Sequence, residues 1–121
     1  MEYSSSRTVQ SREYPCVCFT IARISFGRKL ELTRRVRELG RLIEFQQAGQ
    51  SLADRLDVAI AGAEIDRLYL EVGLIHVHGL HIDGKPATKE SLIEAGPDRL
   101  CREIVSEIRR ECGLTAEEIK N

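Results

Sequence analysis

Leu32, Val36, Leu39 and Ile43 recur at spacings of four, three and four residues, and this stripe constrains the fold more than any other feature of the chain. Such spacing places apolar side chains on one face of an α-helix. Ser25 offers an N-cap oxygen before the stripe and Gly49 a stop after it, so a helix is expected over residues 27–47. Ser51 followed by Asp54 has the form of a capping box for a second helix running to Gly73. Two long helices joined by so short a turn form an antiparallel helical hairpin. Ala59, Ala61, Gly62 and Ala63 keep the middle of the second helix thin, so another helix can approach it closely there.

On both sides of this hairpin the apolar period drops to two. Val17, Phe19 and Ile21 alternate with Cys18, Thr20 and Ala22, which predicts a strand with one buried face. A partner strand around Arg7–Ser11 would complete an N-terminal hairpin, and the first residues are Ser/Arg-rich. Residues 1–15 are therefore expected as a flexible or hairpin arm and residues 16–121 as a single globular domain. Residues 74–87 alternate again, with Asp83-Gly84 as a hairpin turn and Pro86 confining the second arm to an edge. Thr88 can cap a short helix from Lys89 to Ala95. After Gly96-Pro97, Leu100, Ile104 and Ile108 form the stripe of another helix, which Gly113 ends. Thr115 with Glu118 has the form of a last capping box. The expected fold class is α+β and mainly helical: an antiparallel helical hairpin plus C-terminal helices, with two small β-hairpins.

The chain has 121 residues, long enough for a modest core, and with no Trp and three each of Tyr and Phe that core is mostly aliphatic. No apolar run approaches the roughly 20 residues needed to span a bilayer. The first residues are polar, so a cytoplasmic, membrane-free location with reduced thiols is expected for Cys16, Cys18, Cys101 and Cys112. C-x-C followed much later by C-x10-C is not a paired metal framework, and the four are read as small core or boundary side chains.

Charge is divided along the chain. Residues 1–43 hold nine Lys/Arg against four Asp/Glu, and residues 44–121 hold nine against fifteen. Much of the basic half is one helix: Arg28, Lys29, Arg34, Arg35, Arg37 and Arg41 stand against only Glu31 and Glu38. Glu103, Glu107 and Glu111 recur every four residues on the last long helix, forming a negative ridge. These nine residues are the candidate partner-binding set, with the ridge of one copy meeting the basic helix of the next in a head-to-tail contact. Nucleic acid is a less favoured partner, because the net charge is −1 and the basic helix lacks interleaved aromatic residues.

His76 and His78 fall on one face of the predicted strand and offer an alternative, a two-histidine metal site in a small metal-binding protein or enzyme. His81 falls on the other face unless a bulge at Gly79 turns it, and Ile75 and Val77 would form the buried side. Glycine-rich phosphate loops, a nucleophile elbow and paired catalytic carboxylates are not recognisable. The expectation is a non-enzymatic chain without a cofactor.

Segments 19–32 (FTIARISFGRKLEL), 63–70 (AEIDRLYL), 80–88 (LHIDGKPAT) and 114–121 (LTAEEIKN) together resemble prophage-encoded proteins similar to the tail assembly chaperones of long-tailed bacteriophages. The resemblance implies a mostly helical protein that self-associates and coats the tape-measure protein while the tail tube forms around it. A homo-oligomer and a tape-measure-like partner are thus the expected associations.

Overall fold

The computed structural model describes residues 1–47 and 51–113, with the backbone alone at residues 42–47, 52 and 54. Strands β1 (Ser6–Gln10) and β2 (Cys18–Ala22) precede helices α1 (Phe26–Gln47) and α2 (Leu52–Gly73). Strands β3 (Leu74–His78), β4 (His81–Ile82) and β5 (Lys85–Pro86) follow, then helices α3 (Lys89–Ala95) and α4 (Asp98–Cys112). The mainly helical α+β class and the helical hairpin are as the periodicities predict. The proposed Thr115–Glu118 box lies outside the described residues.

Local chemistry sets most element ends. The Ser25 hydroxyl accepts the Arg28 N–H at 3.2 Å and its carbonyl accepts the Lys29 N–H, so α1 starts where the cap allows. Thr88 and Ser91 form a reciprocal capping box at the start of α3, and Gly96-Pro97 separates α3 from α4. Asp83 and Gly84 both take positive φ, 52° and 79°, as a two-residue hairpin turn between β4 and β5 requires. Between α2 and β3 there is no linker at all: Gly73 is the last helical residue and Leu74 the first of the strand.

The expected N-terminal hairpin gains a third strand. β1, β2 and β3 form one antiparallel sheet in that order, and β4–β5 is a separate ribbon. Gly79, at φ 79°, ends β3, and its Cα lies so close to the Cys16 carbonyl that a side chain has no room. One sequence expectation fails inside β3. Phe19 pairs with Val77 and Thr20 with His76, but Ile21 pairs with Leu74. That irregularity leaves Ile75 without a partner in the ladder and turns Leu74 into the core in its place. Leu74 is 2% exposed and Ile75 47%.

The core lies between the sheet and the helices. Phe19 and Ile21 of β2, Leu32 and Val36 of α1, and Tyr69 of α2 are essentially inaccessible to solvent. Leu100, Ile104 and Ile108, one turn apart on α4, are fully buried, each contributing about 1.5–3 kcal/mol over an exposed position. Against α4, α2 uses its C-terminal half, where Asp66 receives a hydrogen bond from Arg109 at 2.9 Å. Arg67 of α2 reaches Glu94 of α3 at 2.6 Å. The thin middle of α2 behaves differently from expectation: Ala61 is buried, but Ala59 and Ala63 are exposed and open space surrounds Gly62. The close approach is thus limited to the side of Ala61, which α1 covers.

Gly79→Ala should lower stability by at least about 1 kcal/mol, from left-handed strain plus the clash with Cys16. Gly84→Ala, with the same φ but open surroundings, should cost less. Urea unfolding of the two variants side by side checks this order.

Candidate functional site

The acidic ridge of α4 meets the chain's own N-terminal arm. Along a strand, Arg7 and Ser11 point to the same side and stand about 13 Å apart. Glu103 and Glu111 on the helix are about 12 Å apart. The two rows therefore match. Arg7 donates from Nε to Glu111 at 2.8 Å and from Nη2 to Glu107 at 3.2 Å, while Glu103 accepts the Ser11 hydroxyl at 2.6 Å and the Arg12 N–H at 2.7 Å. Arg110 adds a 3.4 Å contact to Glu107. Ser11 is 4% exposed, and its oxygen also accepts the Tyr14 N–H at 3.0 Å. The hydrogen bond to Glu111, foremost, and that to Glu107 raise the Arg7 pKa above its ordinary value, outweighing the opposing effect of burial.

This corrects the expectation that Glu103, Glu107 and Glu111 await another molecule. They fasten the arm to α4 through Arg7, Ser11 and the Arg12 amide, and within the arm Ser6–Gln10 is the edge strand β1 of the sheet. Sequence reasoning missed Arg7, Ser11 and Arg12 as the partners. The available signal was the equal length of the two rows, which becomes visible only once strand and helix are known to lie side by side.

The basic helix has a different fate. Arg28, Lys29, Arg34, Arg35, Arg37 and Arg41 are all exposed. Arg34 makes a 3.5 Å contact with Glu31, a solvent-exposed pair of the kind that contributes little. Among the described residues, Arg28, Arg35 and Arg41 make no ion pair. Arg34, Arg37 and Arg41 line an open groove on α1 with Leu30, Thr33 and Glu38. Leu30 is 54% exposed and Phe26, at the start of the helix, 90%. The face therefore combines exposed cations with apolar surface, which suits an acidic amphipathic partner.

His76 and His78 share the outer face of the sheet, with ring centroids 5.0 Å apart and planes at 70°. They stand opposite Thr20 and Cys18. His81 belongs to the separate ribbon, and among the described residues no three His, Cys, Asp or Glu side chains converge to hold a metal. Cys16 is exposed, Cys18 and Cys101 partly buried, and Cys112 buried, all as free thiols. Burial pushes the Cys112 thiol up to about 11, Lys29 opposing and Glu111 assisting. Cys101, whose thiol points at the Leu92 carbonyl at 3.6 Å, is also raised by burial.

Tyr69 is fully buried under Arg109, whose guanidinium carbon sits 5.0 Å from the ring centroid. Among the described residues its hydroxyl has no hydrogen-bond partner.

Comparison with family models, with curated proteins and with solved structures gave no match. No helix among the described residues is long and apolar enough to cross a membrane.

Two outcomes are expected from this geometry. Glu103→Ala strands Ser11 and the Arg12 amide and should cost about 1–3 kcal/mol, with hydrogen exchange of the β1 amides rising before that of α4. Burial, its largest cause, raises the Tyr69 pKa from 10.0 to about 12, so the folded state keeps its phenol proton where the unfolded chain has lost it. That contribution is intact below pH 10 and declines as pH rises from 10 towards 12. Tyr69→Phe, which also removes an unsatisfied hydroxyl, should melt no lower than wild type at neutral pH and lose less stability across that alkaline window.

Proposed function

We propose that the chain is a non-enzymatic protein-binding module for assembly, and that it works through the outer face of α1. One observation supports this above the others: an open groove on the outer face of α1 sets Arg34, Arg37 and Arg41 beside Leu30, which is 54% exposed. The glutamate ridge of α4 is engaged by Arg7, Ser11 and Arg12, so the head-to-tail contact based on it is withdrawn. The basic face is what remains available to a partner. Its apolar residues Phe26 and Leu30 favour an amphipathic protein surface over bare phosphates. The specific form of the proposal is an assembly chaperone of the phage-tail type, self-associating and holding a partner such as a tape-measure protein. The mainly helical architecture is compatible with it.

The test uses a labelled acidic peptide with Leu at helical spacing, about 20 residues long to cover some 30 Å of α1. Fluorescence anisotropy should show binding that weakens with salt. Arg34→Glu, Arg37→Glu and Arg41→Glu together should weaken it at least tenfold, about 1.4 kcal/mol. Unchanged affinity in that triple variant would overturn the proposal. Tighter binding to a short DNA duplex, falling steeply with salt, would replace it with a nucleic-acid role.

A further inference from the structure

We infer that the outer face of the three-stranded sheet carries a transition-metal site, with His76 and His78 of β3 as a chelating pair and Cys18 of β2 as the third ligand. The ion is of the zinc class, and the site is independent of the basic face of α1.

Two rungs cross the strands on that face. One is Gln10–Cys18–His78 and the other Thr8–Thr20–His76. Opposed residues of paired strands project to the same side, and Phe19 and Val77, which alternate with them, are buried in the core. Most polar side chains of the rungs are engaged: the Gln10 amide donates to the Pro15 and Val17 carbonyls at 2.7 and 2.8 Å, and the Thr8 and Thr20 hydroxyls lie 3.0 Å apart. Among the described residues His76, His78 and Cys18 make no hydrogen bond. The side chains left over on this face are thus the ones whose nitrogen and sulfur atoms ligate metals. Both histidines are exposed and Cys18 is half-buried, so the three are open to an ion from solvent.

Ring spacing suits a shared ion. An ion about 2.0–2.1 Å from an imidazole nitrogen lies roughly 3 Å from the ring centre, so two rings holding it at the tetrahedral angle are about 5 Å apart. The two centroids are 5.0 Å apart. Cys18 stands directly opposite His78 and diagonally across from His76, within the range of about 5–8 Å over which cross-strand side chains meet. As the side chains stand, no three donors converge. Cys18 closes the set by turning about its Cα–Cβ bond between staggered positions. It binds as the thiolate, and its proton passes to water. Two nitrogens and one sulfur select zinc, cobalt or copper over magnesium and calcium, which take oxygen ligands. With no hydrogen-bonded neighbour to orient the rings, the ion is held loosely and exchanges.

Cobalt(II) chloride titrated into the full, untagged chain under a non-thiol reductant tests this. Visible and near-ultraviolet absorption is the readout, with circular dichroism to confirm that each variant is folded. One equivalent should bind, show tetrahedral ligand-field bands together with a thiolate charge-transfer band, and be displaced by zinc but not by magnesium. His76→Ala and His78→Ala should each weaken binding at least about tenfold. Cys18→Ser should abolish the charge-transfer band while the histidines still bind, and Cys16→Ser and His81→Ala should change neither. Zinc should raise the melting temperature of wild type and leave that of the double histidine variant where it was. Absence of saturable one-to-one binding, binding that survives the double histidine variant, or a charge-transfer band that persists in Cys18→Ser and is lost in Cys16→Ser would each overturn the inference. Peptide binding by α1 uses none of these residues, so that outcome leaves the proposed function standing.

Discussion

The contact between the N-terminal arm and α4 decides the electrostatic character of the whole molecule. Arg7 spans Glu107 and Glu111, and Ser11 with the Arg12 amide holds Glu103, so a helix face that is strongly negative in sequence becomes a structural seam. The side chains in that seam are largely shielded from solvent, where charge-assisted hydrogen bonds outweigh those at the surface. Its effect extends beyond stability. With the ridge engaged by one arginine of the arm, the six basic residues of α1 are left with Glu31 and Glu38 as their nearest acidic neighbours in sequence.

Two physical layers then divide the chain. The sheet, α3, α4 and the C-terminal half of α2 share one apolar core, built from fully buried aliphatic residues around Tyr69. The N-terminal half of α2 and the outer side of α1 carry Leu56, Ile60, Leu30 and Phe26 in solvent. Exposed residues of this size in a stripe beside exposed charge mark an interaction surface better than either feature alone.

How much of this could be read from residues follows from the range of the forces involved. The helices, their caps at Ser25 and Thr88 and the Asp83-Gly84 turn are local, set by neighbours within four positions, and their chemistry is plain in the sequence. The burial of Leu100, Ile104 and Ile108 is equally legible from spacing. Ile75 was assigned to the wrong side because a register irregularity against β2 depends on a strand more than fifty residues away. The glutamate ridge was recognised as a unit, but its partners were not. Arg7 and Glu107 are a hundred residues apart, and no periodicity connects a strand to a helix. The alanines of α2 announced a close helix approach without saying whose helix it would be.

The absence of any residue between Gly73 and Leu74 has a mechanical side. A helix that runs straight into a sheet strand has no slack at the junction, so α2 acts as a lever whose short arm is β3. Force applied near Leu56 reaches the ladder between Ile21 and Leu74 without a hinge to absorb it. Whatever grips the far end of the helical pair also holds the orientation of the sheet.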